Sequence, residues 1–455
     1  MNRGLEPESH PAESSANAKR HRAGTIPGQR AALWLVAVSA AWTIVALVRV
    51  LPYLPTSGGD FEHLHRSAAA LVSGQGAYLH PELDYPPLFP VLLAPLGFLS
   101  LDAARFIWLG ISIAAVLAAM AAIWRLAGSD VVAASAVAVA LAIEGTALPN
   151  LALGQTNPML LLLLAVALLL HRSRPARAAA AIGLAAALKI WPGLLLLSFL
   201  AGGRKAIVAT WRSGLLTWAL LVALPFGLLA VATPSPHLPP SHGFWLGTPA
   251  LLNFSAPAAV LRASYDWEPG GALPADWVNG VTATWSLDNG RRLRSVLSSL
   301  VTLGAGLAAL GMRWRRVRGQ RASDDTDETD EFDESPGVAL TGALVALALV
   351  AAPIAWYHYQ LLQLPAFVLA FAAAFRARRW GVVVALAVLL ATLTRHEWVV
   401  AAVGLFEPDP TTALYCTGLI LPLAGTFWFA SRVLALSRVR PPETSARAVD
   451  RQPST

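Results

Sequence analysis

A single cysteine, Cys416, lies inside an apolar run. The chain therefore cannot close an internal disulfide or build a thiolate metal site, and Cys416 reads as a small core side chain. Charge is also scarce: Asp, Glu, Lys and Arg make up only 13% of the 455 residues, too little for an ordinary soluble surface. A net charge of +7 invites a nucleic-acid reading, but the Lys and Arg residues gather at the ends of apolar blocks, as membrane topology requires. No nucleic-acid partner is expected.

What the chain has in quantity is apolar. Hydrophobic residues are 56% of it, mean hydropathy is +0.55, and they fall in unbroken blocks rather than at amphipathic spacing. A helix needs about 20 mainly apolar residues to cross a hydrocarbon core roughly 30 Å thick. Blocks at 31–51, 103–125, 130–148, 157–171, 213–233, 296–313, 337–354, 360–376, 380–395 and 411–436 are read as spans. The expected fold class is an all-α polytopic membrane protein with about ten spans, one membrane domain over 31–436 between disordered cytosolic tails at 1–30 and 437–455. The first block is too long and too poorly flanked for a cleaved signal peptide.

The connections sort by charge. The N-terminal tail and the basic stretches His171–Arg177, Gly203–Arg212, Arg313–Arg321, Arg376–Arg379 and Ser437–Arg440 belong in the cytoplasm by the positive-inside rule. That leaves 52–102, 149–156, 234–295, 355–359 and 396–410 outside. The acidic run 322–335 reads as a solvated cytosolic linker rather than a metal site. Segment 178–202 is apolar but basic on both flanks, so it reads as a re-entrant hairpin broken at Pro192, with an ordinary tilted span as the alternative.

Few ionisable groups sit near the hydrocarbon, and those few are the functional candidates. Asp60 follows Gly58-Gly59 at the start of an amphipathic stretch. There Phe61, Leu64, Ala68, Leu71 and Val72 share a face, with Glu62, His63, His65 and Arg66 opposite. Asp60 can be an N-cap, a general base, or both. Gly74 to Tyr78 and Asp84-Tyr85-Pro86-Pro87 are turn-rich, and 88–99 is apolar but too short to cross, so it is expected to lie at the outer leaflet. Gly154-Gln155-Thr156-Asn157 presents two amides ahead of an apolar helix. A lysine near a helix centre, Lys189, carries an insertion cost of about 2.5–3.5 kcal/mol that an anion must offset. No acidic residue is near it in sequence, which favours a phosphate and leaves a distant carboxylate open. His358, among Trp356, Tyr357 and Tyr359, is either an interfacial residue or part of a site. The aromatics of 234–295 can anchor the interface or stack on sugar rings.

Taken in order, Asp60-Phe61, Gly74 to Tyr78, Tyr85-Pro86-Pro87, Gly154-Gln155-Thr156-Asn157, Ala187 to Pro192, Leu252-Asn253-Phe254-Ser255 and His358-Tyr359 resemble glycosyltransferase family 87, the polyprenol-phosphate-sugar mannosyltransferases of GT-C type. The resemblance runs from about residue 30 to 435. It implies a GT-C-like helical bundle with its active site between the membrane and the outer loops. It also implies catalytic roles for Asp60, as base, and His358. Lys189, Tyr85, Gln155, Asn157, Asn253 and His63 are implied to bind the donor phosphate or substrate. Two departures stand out: Pro192 lies farther from Lys189 than in the tighter Lys-x-Pro form, and Phe254 replaces a usual Gln between Asn253 and Ser255. Charge counting alone puts Asp60, Gln155, Asn253 and His358 on the same, outer side.

The implied reaction is sugar transfer, with mannose the expected sugar, from a polyprenyl-phosphate donor to a hydroxyl of a glycolipid or envelope glycan at the outer face. Inversion is expected, and no cofactor or metal is called for. An arabinofuranose donor is the nearest rival. A transporter or flippase would also have many spans and a broken helix, yet no internal repeat is visible here. Lipids are the remaining expected partners, and nothing in the sequence speaks to oligomeric state.

Overall fold

The computed structural model describes residues 26–53, 59–75, 85–171, 173–189, 191–201, 204–232 and 357–394, with isolated positions at 304, 307 and 311. All the regular structure among the described residues is helical. The spans expected at 337–354 and 411–436, that at 296–313 apart from positions 304, 307 and 311, the outer loops 234–295 with Asn253 and 396–410, the acidic linker, the first 25 residues and the C-terminal tail lie outside the described residues. Among the described residues three helical stretches, Gln29–Tyr53, Leu101–Leu126 and Tyr359–Arg376, are long and apolar enough to cross a membrane, or four if a bent pair counts as one.

The helices in chain order are α1 (Ile26–Val50), α2 (Asp60–Val72), α3 (Leu88–Leu93), α4 (Leu101–Leu126), α5 (Val131–Ile143), α6 (Ala147–Leu153), α7 (Asn157–Leu170), α8 (Pro175–Leu188), α9 (Arg204–Ala232), α10 (Leu364–Arg376) and α11 (Trp380–Thr394). Short 3-10 turns occupy Ala94–Phe98, Trp191–Ala201 and Tyr357–Gln363. Most of these helices are apolar all round, so their lipid and protein faces are chosen by packing and not by pattern. The core forms where α4, α5, α7, α8 and α10 meet, around Met120, Ile123, Leu160, Leu161, Phe367 and Phe371.

Several expected elements differ. The block 130–148 is not one straight span: α5 stops at Ile143, α6 starts at Ala147, and the two are bent by 61°. The outer turn expected at 149–156 is helical as far as Leu153, where Gly154 ends α6 in the left-handed conformation, φ 66°. The basic connection expected at 203–212 is helical from Arg204, so α9 begins well before residue 213. Helices α7 and α11 are 14 and 15 residues long, or about 21–23 Å, less than a full hydrocarbon crossing.

Segment 178–202 does break, three residues earlier than Pro192. The last helical bond runs from the Lys189 N–H to the Ala185 carbonyl at 2.9 Å. Pro192, with no N–H for the Leu188 carbonyl and a ring that crowds it, disfavours carrying α8 further. Lys189 takes an extended backbone, φ −150° and ψ 126°, and the chain resumes as the 3-10 turn Trp191–Ala201. Helix α9 runs closely along α8: a Cβ on Gly183 would lie 2.4 Å from the carbonyl oxygen of Gly214. Small residues at the crossing are what allow two backbones this near.

Helix α2 is amphipathic as expected, but its apolar face is covered by the protein itself. Phe61, Leu64 and Ala68 are buried, and a Cβ on Gly97 would clash with the Ala68 backbone at 2.6 Å. The stretch 88–99 thus folds over α2 as a short helix and a 3-10 turn, exposing Leu92 and Phe98.

Candidate active site

The N-terminus of α2 is seated by two contacts with the end of α6. Gly59 lies against Leu153, where a Cβ would approach the carbonyl oxygen to 3.0 Å, and Phe61 lies on Gly154. The Phe61 ring stacks on Trp108, centroids 5.6 Å apart, and the Trp108 indole N–H donates to the Gly154 carbonyl at 2.8 Å. Trp108 meets Phe89 edge-on at 5.8 Å, and Phe89 stacks on Tyr85 at 4.8 Å. An aromatic chain therefore leads from the residue after Asp60 to Tyr85. Such rings bury large areas and prefer defined geometries, so they hold the backbone elements in register.

Asp60 is the first residue of α2, and Gly59 is the N-cap; no side chain caps this helix. The capping role considered for Asp60 is thereby corrected. Its half-buried carboxylate instead feels the charges of Lys189 and His63. Burial pushes the Asp60 carboxyl above its ordinary 3.8, while Lys189 and then His63 pull it part of the way back. His63 lies one helical turn on, at the i+3 position that shares a face with Asp60.

Lys189 reaches this place because α8 ends just before it. Its ammonium sits 3.9 Å from the Tyr359 ring centroid and 5.6 Å from that of Tyr85. It also donates to the Oδ1 of Asn157 at 3.4 Å. Two aromatic faces and an amide oxygen give a cation electrostatic support without neutralising it. Asp60 is the distant carboxylate whose charge acts on Lys189.

Of the expected site residues, Asp60, His63, Lys189, Tyr85 and Asn157 converge. Gln155 is adjacent and buried, and its side-chain oxygen has no protein partner among the described residues. His358 belongs by backbone to the 3-10 turn Tyr357–Gln363, next to Tyr359. Asn253 lies outside the described residues.

Residues 83–324 match glycosyltransferase family 87, more than half of the chain. The chain belongs to glycosyltransferase family 87. No curated protein matches it. Membership of family 87 together with the long apolar helices makes the protein a membrane glycosyltransferase. The matched stretch contains Tyr85, Gln155, Asn157, Lys189 and Asn253, whereas Asp60, His63 and His358 fall outside it.

Sequence reasoning assigned no role to three residues that the candidate site draws in. Tyr359, buried, offers its ring to Lys189; the sequence named it only within the His358-Tyr359 pair and gave it no role. Asn150 is fully buried and donates to the Thr146 carbonyl at 2.7 Å while accepting from Asn157 at 2.8 Å. Glu144, 5% exposed, lies in the break between α5 and α6. A lone carboxylate within the apolar block 130–148 was the signal available, since an ionisable group there is costly.

Proposed function

We propose that the protein transfers a sugar, mannose in the first instance, from a polyprenyl-phosphate donor to a hydroxyl of a glycolipid or envelope glycan. The observation that carries this reading is the meeting of Asp60 and Lys189, a carboxylate and an ammonium from distant segments, beside Tyr85, Tyr359 and Asn157.

In this reading the donor's phosphodiester lies against the Lys189 ammonium and its polyprenyl tail runs along the apolar helices. The acceptor oxygen forms a bond to the anomeric carbon from the face opposite the phosphate, and Asp60 takes the hydroxyl proton. The bond between the anomeric carbon and the phosphate oxygen breaks, and its electron pair leaves with polyprenyl phosphate. Lys189 offsets the charge gathering on that leaving group. One displacement of this kind inverts the anomeric centre. A carboxyl raised above its ordinary range suits the base, because proton transfer is most effective when the catalytic pKa approaches the working pH. His358 is assigned a supporting catalytic role and Gln155, His63 and Asn253 substrate contacts, on the resemblance.

The same end of the bundle is proposed to face the extracytoplasmic side of a multi-pass protein. The opposite end supports this: Arg376, from the basic stretch 376–379, donates to the Ala127 carbonyl and to Asp130 at 2.9 Å. From Arg105, near Asp60, to Ala127, helix α4 rises roughly 33 Å, about one hydrocarbon core. Arg376 thus lies about one membrane thickness along α4 from the Asp60 end.

The test is Asp60→Asn assayed in membranes with radiolabelled polyprenyl-phosphate mannose and, in parallel, the arabinofuranose analogue, using total membrane lipids as acceptor. Loss of label transfer in a well-folded variant supports the assignment, and wild-type turnover removes Asp60 from the mechanism. Transfer from the arabinose donor alone replaces mannose and leaves the chemistry standing.

A further inference from the structure

Between Lys189 and the helix break at Glu144 runs an unbroken line of hydrogen bonds, part-buried at Lys189 and buried beyond it. Lys189 donates to Asn157 Oδ1 at 3.4 Å, and Asn157 Nδ2 donates to Asn150 Oδ1 at 2.8 Å. Asn150 Nδ2 donates to the Thr146 carbonyl at 2.7 Å. That carbonyl belongs to the same peptide group as the Ala147 N–H, which donates to Glu144 Oε2 at 2.9 Å. The Thr146 N–H and hydroxyl both donate to Glu144 Oε1. Three amide groups in series, two side chains and one peptide, therefore join an ammonium to a carboxylate.

The direction of this line is set at both ends. An ammonium can only donate, so Asn157 must turn its oxygen to Lys189 and its NH2 to Asn150. A backbone carbonyl can only accept, so Asn150 must turn its NH2 to Thr146 and its oxygen to Asn157. The two requirements agree, and every dipole points its negative end toward Lys189. Aligned hydrogen bonds in a low-dielectric interior polarise one another, so the carboxylate's influence extends along the line. Asn157, Asn150 and Thr146 have no exposed surface, so water does not screen it. The break between α5 and α6 is what makes the line possible. It frees the first N–H groups of α6, and Glu144 takes them at the helix end where a negative charge is favoured.

We infer that Glu144, acting through Asn150 and Asn157, is a positioning residue that holds the Lys189 ammonium in place for the phosphate of the lipid-linked donor. The inference rests on the phosphate-binding role proposed above for Lys189. Asn157, assigned to substrate from the sequence, acts on this view through Lys189.

The test measures binding of farnesyl monophosphate to detergent-purified full-length protein by tryptophan fluorescence, with thermal unfolding recorded for each variant. Lys189→Met is expected to weaken binding about tenfold or more, and Glu144→Gln and Asn150→Leu about three- to tenfold each. In the Lys189→Met background the same two substitutions are expected to change binding less than about twofold, because residues acting through one group are not additive. Glu144→Gln keeps the size and one acceptor, so it carries the test if Asn150→Leu does not fold. Single variants that bind as wild type, or that weaken binding equally in both backgrounds, overturn the relay and leave the phosphate site standing. Wild-type binding by Lys189→Met overturns the phosphate site itself and the relay with it.

Discussion

Phe61 rests directly on Gly154, so closely that a methyl group on that glycine would come within 2.4 Å of the Phe61 Cβ. This contact joins the start of α2 to the end of α6, three residues before α7 begins, and so bears on how far Asp60 stands from Asn157 and Lys189. Gly154 also has φ 66°, where a side chain is disfavoured. Gly154→Ala is therefore expected to lower stability by about 1–3 kcal/mol and to reduce transfer, since Phe61 must move and take Asp60 with it. Thermal unfolding in detergent beside the transfer assay checks it; an unchanged midpoint with full activity contradicts this packing.

As the proposed base, Asp60 must be ionised to accept a proton, and burial holds its carboxyl above 3.8 against the pull of Lys189 and His63. The acid limb of kcat/KM is expected above the ordinary carboxylate range, with activity falling as pH drops through it. Lys189→Met removes one positive charge that favours the ionised form, so the limb should move to higher pH. A pH profile of both proteins decides this, and a limb that moves the other way excludes the coupling.

Tyr359 meets the Lys189 ammonium with its ring face, 3.9 Å away. Cation–π contacts contribute about 0.5–2 kcal/mol, so Tyr359→Leu is expected to raise the donor KM by roughly two- to thirtyfold. Tyr359→Phe keeps the ring and should retain most of the affinity. Equal effects from the two substitutions would assign the contribution to the hydroxyl instead.

Asp130, in the turn before α5, lies at the far end from the site. Burial raises its carboxyl, but the Ala133 N–H and the Arg376 guanidinium outweigh this, leaving it below 3.8. A carboxyl with a depressed folded pKa stabilises fully above its unfolded value and loses that contribution as pH falls through the folded one. Both side chains are over two-fifths exposed, so Arg376→Met should cost less than about 1 kcal/mol at neutral pH. Its difference from wild type should shrink on acidification, with the donor KM unchanged. Denaturation followed from pH 7 downward tests this sign.

Much of the site was legible residue by residue. Asp60 stood out as a carboxylate at the head of an amphipathic helix, Lys189 as a cation in an apolar block, and Gly154 to Asn157 as a turn. Their partners were less visible. Tyr359 and Asn150 carry no charge that an apolar setting makes conspicuous, and Glu144 was hidden by a block that reads as one continuous span. The pattern of 130–148 is apolar all round, so it does not reveal a bend of 61°.

By itself, then, the sequence determined membrane character, helical class and the break beside Lys189. These follow from composition and from a proline without an N–H, which act over a few residues of chain. It also determined the buried face of α2, through helical periodicity, though not what would cover that face. Only the tertiary structure decided that Asp60 and Lys189 share one place, that Tyr85 and Tyr359 flank the ammonium, and that Glu144 lies at the end of its hydrogen-bond line. Those relationships arise from contacts between segments far apart in the chain: Phe61 on Gly154, Gly183 against Gly214, and Asn150 between Thr146 and Asn157. Each is set by close packing and by donor and acceptor pairing in a dry interior, which no local pattern of residues encodes.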